Sequence, residues 1–263
     1  MHLLHHDFTT PHDHGPTPRV NAGEVATVDV RTGDPADTPP PGNYRKAEKG
    51  RSIEVSIPLL AENNRLAAEN RAHFKSHKLT VLNLVSGPGA GKTTLLARTL
   101  KDLAHEISCG VLVGDLETDS DAQRLRHDAV PVAQLTTGSA CHLDAHMIAH
   151  GFEALQMKEG RLLFIENVGN LVCPAEFDLG ETVRVALFAC TDGEDKPLKY
   201  PPIYRSAHVV LMTKADLADA CDFDREKARA SLSKVCPDAQ VMELSSRTGE
   251  GFDQWIGFVR SLL

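Results

Sequence analysis

The chain has 263 residues, 41% of them hydrophobic, and a formal net charge of −8 at pH 7. That length suits one large α/β domain plus tails, and an acidic balance without a basic block excludes a large sequence-independent nucleic-acid footprint. No apolar run approaches the roughly 18 residues of a membrane helix and no signal-peptide core opens the chain, so the expectation is a cytoplasmic protein with neither membrane nor nucleic acid as partner.

Residues 1–50 read as a disordered His/Pro-rich tail. Pro11, Pro16, Pro18, Pro35, Pro39, Pro40 and Pro41 break it, and it has too little apolar content to offset the entropy of ordering. His2, His5, His6, His12 and His14 crowd its start. Such a tract suits either a metal store or a solvated tail. Residues 51–78 form an N-terminal helical segment, because Leu59, Leu60, Asn63, Leu66, Ala67 and Phe74 fall near a 3.6-residue period from 53 to about 77. From residue 79 to 263 apolar runs at 80–85, 110–114, 130–134, 161–165, 182–188, 207–212 and 240–244 alternate with helical patterns, and 252–262 reads as a closing helix. That alternation predicts a three-layer α/β sandwich of the P-loop NTPase type, with a mostly parallel central sheet and ligands at the carboxyl ends of its strands.

The first of those runs ends in Ser86-Gly87-Pro88-Gly89-Ala90-Gly91-Lys92-Thr93-Thr94. Strand, Gly-rich turn, Lys-Thr and helix make a phosphate-binding loop, although Ser86 stands where the strict pattern has Gly. Gly87, Gly89, Ala90, Gly91 and Thr94 offer backbone N–H groups to phosphate oxygens, Lys92 adds a cation, and the Thr93 hydroxyl suits Mg2+. The second run closes on Gly114-Asp115-Leu116-Glu117-Thr118-Asp119. Asp115 is placed to hold Mg2+ through water or to orient an attacking water, and Asp119 to cap the next helix. The fourth closes on Glu166-Asn167-Val168-Gly169-Asn170, where an acid is the usual second Mg2+ contact and Gly169 can face the terminal phosphate. Lys92, Asp115 and Glu166 are the catalytic candidates.

Thr213-Lys214-Ala215-Asp216 resembles the Asn-Lys-x-Asp motif that selects guanine, with Thr213 in place of Asn. Two carboxylate oxygens of Asp216 can accept from guanine N1–H and N2–H2, a donor pair that adenine lacks. Ser245-Ser246-Arg247 stands where a further guanine-contacting loop belongs. The order of these motifs after the phosphate loop predicts GTP. The remaining candidates are Cys141-His142, after a Thr-Gly turn, and Cys173, on the loop that follows Glu166. Two thiolates and an imidazole suit Ni2+ or Zn2+, and buried core cysteines are the other reading. His146 and His150 continue the His142 face at a spacing of four.

SGPGAGKTTLL (86–96), GDLETDSDAQRL (114–125), TTGSACHLDAHMI (136–148), ENVGNLVCPAEFDLG (166–180), EDKPLKYPPIY (194–204) and TKADL (213–217) together resemble the HypB family of nickel-inserting GTPases of NiFe-hydrogenase maturation, within the SIMIBI class of P-loop GTPases. The likeness runs from about residue 53 to the end. It implies GTP hydrolysis, a GTP-responsive homodimer, and a Ni2+ or Zn2+ site on Cys141, His142 and Cys173. It also implies two further partners: a nickel-binding HypA-type accessory protein and the hydrogenase large-subunit precursor that receives the nickel. The Cys-x-x-Cys-Gly-Cys site that some members carry near the N-terminus is absent, since no cysteine precedes Cys109. A urease-type nickel chaperone shares the nucleotide loops, but Cys141-His142 and EDKPLKYP favour the hydrogenase branch. Min-type or nitrogenase-iron-type ATPases carry a Lys where Gly87 stands here, and a metal scaffold with an inactive nucleotide site would not need Lys92, Thr93 and Asp115.

Overall fold

A computed structural model describes residues 23, 25–29, 51–115, 120–127, 129–138, 140–157 and 160–263. Six strands are buried almost from end to end, as their largely apolar sequences require of strands covered on both faces. The strands are β1 (Val25–Asp29), β2 (Thr80–Ser86), β3 (Cys109–Asp115), β4 (Val132–Thr136), β5 (Leu162–Gly169), β6 (Val183–Ala189), β7 (Val209–Thr213) and β8 (Gln240–Glu243). They lie in the order β1-β4-β3-β5-β2-β6-β7-β8, and every pair is parallel.

Helices cover both faces. On one, Leu95, Leu96, Leu100 and Leu103 of α2 (Lys92–Leu103) and Trp255 and Val259 of α8 (Phe252–Ser261) pack on Leu82, Leu84, Val111, Phe164 and Val185. The Trp255 indole N–H donates to Thr99 Oγ1 (2.9 Å), which fixes α8 against α2. The short α3 (Ser120–Arg124) adds Ala122 to the same face. On the other face, α1 (Arg51–Ser76) and α4 (Ala145–Leu155) bury Phe74, Met147, Ile148 and Phe152 against Val81, Leu112, Leu135 and Ile165. Beyond them α5 (Lys196–Lys199), α6 (Pro201–Arg205) and α7 (Arg225–Val235) close the half of the sheet that holds Val85, Ala186, Phe188 and Val210. The α/β three-layer arrangement expected from the sequence is the one observed. No helix among the described residues is long and apolar enough to cross a membrane.

Two differences from the sequence reading have physical causes. Within the stretch read as a tail, Val25–Asp29 is an edge strand in full register with β4, from Val25↔Val132 to Asp29↔Thr136, and Val28 is buried. The rest of residues 1–50, including the five early histidines, lies outside the described residues. The third expected strand, 130–134, starts two residues late because Pro131 has no N–H to give the ladder; β4 begins at Val132.

Candidate nucleotide and metal site

All the parallel strands deliver their carboxyl ends to one edge of the sheet, and every candidate loop follows one of those ends. The phosphate loop leaves β2 at Ser86 and enters α2 at Lys92. Gly89 (φ 75°) and Gly91 (φ 97°) take left-handed conformations that only glycine adopts cheaply. Ser86 has a specific part: its Oγ accepts from Lys92 Nζ at 3.0 Å and donates to the Gly87 carbonyl. The serine that departs from the strict motif therefore tethers the motif's lysine. Lys92 is buried, and burial lowers its pKa against the opposing pull of Glu166, Asp121 and Asp115.

Thr93 Oγ1 donates to Glu166 Oε1 at 2.6 Å, across the gap between α2 and β5. Glu166 Oε2 is buried with no hydrogen-bond partner, and burial pushes this carboxyl up to about 7. An orphaned, desolvated carboxylate oxygen beside a hydroxyl is a donor set for a hard cation, and Mg2+ fits it. Asp115 ends β3, and its backbone carbonyl accepts from Thr137 N. Glu117 and Asp119, the latter read as a helix cap, lie outside the described residues. A bulge displaces β5 against β2, so that Leu84 pairs with Glu166 but Ser86 pairs with Gly169. It brings Gly169 against the phosphate loop, where a Cβ would stand 3.2 Å from Pro88 Cα. Bulges of this kind re-aim side chains beside active sites.

Beyond the phosphate loop a cleft of about 230 Å3 is lined by Thr94, Thr213, Lys214, Asp216, Ser245, Ser246 and Arg247, among others. Thr213 Oγ1 donates to the Ala90 carbonyl at 2.7 Å and so ties the end of β7 to the phosphate loop. Asp216 is held at both oxygens: Oδ1 accepts from Ser245 Oγ (2.6 Å), and Oδ2 lies 3.9 Å from the Arg247 guanidinium. Two arginines escaped the sequence reading. Arg98 lies over the Phe252 ring and donates to the Ser246 carbonyl, bracing the third loop from α2. Arg124 donates to Thr94 Oγ1 at 3.2 Å. No motif marks either residue, because each acts through a fold contact rather than a fixed spacing.

Cys141, His142 and Cys173 come together at the same edge, with their ligand atoms within 4.8 Å of one another. The two Sγ atoms are 2.8 Å apart, and Cys141 Sγ is 3.9 Å from His142 Nδ1. Among the described residues this is the one cluster of three such side chains that could hold a metal ion. The proximity of the Cys141 thiol and burial both raise the pKa of Cys173, whereas burial lowers that of His142 and favours its neutral, ligating form. Phe177 stacks on the His142 ring (3.8 Å between centroids), and Asn170 Nδ2 donates to the Cys141 carbonyl. Neither contact was foreseen from sequence. His146 and His150 are outside the triad and meet each other on α4, 3.1 Å between their Nε2 atoms.

A parallel sheet that lines one edge with a Gly-rich strand-to-helix loop, a buried Thr–Glu pair and an adjoining cleft defines a P-loop nucleotide-binding protein of the SIMIBI class. Residues 80–243 match the family model described as CobW/HypB/UreG, nucleotide-binding domain. The chain is 49% identical over 211 residues to the hydrogenase maturation factor HypB of Azotobacter chroococcum mcd 1, covering 80% of this chain and 69% of that one. It superposes with TM-score 0.72 and 39% identity on the HypB crystal structure from Archaeoglobus fulgidus, over 77% of this chain and 98% of that one. HypB from Helicobacter pylori, crystallised in complex with nickel, gives TM-score 0.73 and 36% identity over 76% and 94% of the two chains. The chain belongs to the HypB family of hydrogenase maturation factors.

Proposed function

We propose that this protein is a GTP-hydrolysing nickel metallochaperone that acts in the cytoplasm and delivers Ni2+ to the large-subunit precursor of a NiFe-hydrogenase. The observation that carries the reading is the span from Glu166 to Cys173. One segment, the end of β5 and the loop after it, starts at the carboxylate beside the phosphate-loop threonine and reaches, seven residues on, a thiol 2.8 Å from Cys141. The nickel complex of the Helicobacter pylori relative supports nickel as the cargo, although Zn2+ satisfies the same ligands.

In this mechanism the backbone N–H groups of Gly87 and residues 89–94 and the Lys92 side chain cradle the GTP phosphates, and Asp216, Lys214 and the Ser245–Ser246–Arg247 loop take the base. Thr93, Glu166 and Asp115 would hold Mg2+, which supplies charge to offset that developing on the phosphates. Gly169 senses the terminal phosphate and orders the loop up to Pro174, which moves Cys173 relative to Cys141 and His142 and promotes association of two copies. Hydrolysis reverses the arrangement and releases the metal ion. Residues 79–263, extended by the edge strand Val25–Asp29, form the nucleotide-dependent unit, α1 docks on it, and the histidines at residues 2–14 serve as a metal store. A HypA-type accessory protein is the partner in nickel transfer. Two measurements test this. Lys92→Ala should abolish GTP turnover, and equal rates in variant and wild type overturn the enzyme reading. Nickel titrations of the GDP-bound and GTP-analogue-bound protein should give different affinities, and identical ones remove the switch.

A further inference from the structure

A chain of buried polar side chains runs from the residue beside Glu166 to the backbone behind Cys173, on the sheet face opposite α2. Successive residues of β5 point to opposite faces, so Glu166 addresses Thr93 while its neighbour Asn167 turns away from the nucleotide. Asn167 Nδ2 donates to Asn83 Oδ1 of β2 at 3.2 Å. Asn83 Nδ2 donates to Glu181 Oε1, also at 3.2 Å. That oxygen accepts a fork from Arg184 of β6, with Nε at 2.7 Å and one terminal nitrogen at 2.6 Å. Glu181 Oε2 accepts from Leu179 N. The same terminal nitrogen, Nη2, also donates to the Phe177 carbonyl (2.8 Å), and Nη1 donates to the Ala175 carbonyl (3.1 Å). Ala175 closes the turn that Cys173 opens, and Phe177 is the ring stacked on His142. All four side chains are buried.

A buried ion pair whose remaining donors reach irregular backbone holds that backbone in one geometry, and low polarity around it strengthens each bond. Arg184 bonds to none of Cys141, His142 and Cys173, yet it holds the middle and the end of the segment that presents Cys173 and Phe177. We propose that Asn83, Glu181 and Arg184 are positioning residues that link the nucleotide end of β5 to the metal triad. A shift of the bulged Glu166–Asn167 pair when nucleotide binds is carried through Asn83 to the Glu181–Arg184 pair, and from there to residues 175–177. Cys173 and His142 then move together, because the same guanidinium holds the turn of one and the stacking partner of the other. This inference rests on the proposed coupling of GTP to metal binding and names the route within one protomer.

The test uses the full chain and two variants. Arg184→Lys keeps the charge opposite Glu181 but cannot bond both carbonyls. Asn83→Leu keeps the volume of the side chain and cuts the route in the middle. Each is titrated with Ni2+ in the GDP and GTP-analogue states, and Co2+ absorption reports the thiolate geometry. The wild type should show a difference of at least about fivefold between the two nucleotide states, the low end of typical coupling. Either variant, folded and with unchanged affinity for the GTP analogue, should reduce that difference to within twofold and remove the nucleotide-dependent change in the Co2+ spectrum. A merely structural role would lower the melting temperature and leave the ratio untouched. Folded variants that retain the wild-type ratio overturn the route and leave the coupling standing. A wild-type ratio of one overturns the coupling itself, and the route with it. If one variant does not fold, the other decides.

Discussion

Glu166 shows how one side chain is tuned by where the sheet places it. Free of metal, its carboxyl keeps a proton up to about 7, against an ordinary 4.5, because burial disfavours the charge. The folded state therefore binds more protons than the unfolded state between those values, and the contribution of this group to stability is present below pH 4.5 and lost as pH rises through 7. Glu166→Gln removes the titration. Without nucleotide or metal ion, the variant should gain on the wild type by up to about 3 kcal/mol between pH 4.5 and 8, read from urea unfolding at each pH. A constant difference across that range defeats the assignment of burial as the cause. Asp216 is fixed by its neighbours: Ser245 Oγ bonds one of its oxygens and Arg247 lies near the other at the cleft. Asp216→Asn replaces one acceptor with a donor facing the guanine N–H groups. It should weaken GDP binding by about 3 kcal/mol, roughly 100-fold, at the cost expected for losing a charged hydrogen-bond pair. A fluorescent-GDP titration checks this, and undiminished affinity places the base elsewhere. Asp216 could be picked out in the sequence because its spacing from the phosphate loop is characteristic. The roles of Ser86 and Thr213 could not, because Ser86 acts through the closed shape of the loop and Thr213 through one hydrogen bond made across the fold.

At the scale of elements, strong apolar runs made β2, β3, β5, β6 and β7 legible before any coordinates. The near-continuous apolar runs there coincide with burial on both faces, so pattern and packing agree. β1 was illegible for a related reason. Five residues between proline-rich stretches carry too little signal by themselves, and their strand geometry is supplied by the open edge of β4. Such a strand is stabilised by its partner and by one side chain, Val28, which is buried while its neighbour Thr27 is exposed. Val28→Ala should cost about 1–2 kcal/mol and Thr27→Ala less than about 0.5 kcal/mol, compared by denaturant midpoints. Equal effects would mean that β1 is not docked on β4 in solution. The metal triad had intermediate legibility. The adjacent Cys141-His142 and the distant Cys173 are visible as residues, but their meeting depends on the turn after β4 and the loop after β5 ending at the same edge of the sheet.

At the scale of the whole molecule, the nucleotide and metal sites share one edge but differ in what can connect them. Two routes exist in principle: the buried side-chain chain within a protomer, and the association of two copies that the proposed cycle includes. They make different demands of concentration. Coupling through association is mass action, so its apparent size grows with protein concentration around the dimer constant. Coupling within a protomer is a property of each chain and persists on dilution. Reciprocity holds for both: whatever factor the GTP analogue applies to nickel affinity, nickel must apply to GTP-analogue affinity. The two factors should therefore be measured in both directions and at several protein concentrations, with sedimentation velocity recording the species present. The buried Asn167–Asn83–Glu181–Arg184 connection predicts equal factors in the two directions and a factor that remains above one where the protein is monomeric. A factor that falls to one on dilution would assign the coupling wholly to the interface between copies, and Arg184 would then hold the loop without transmitting anything through it.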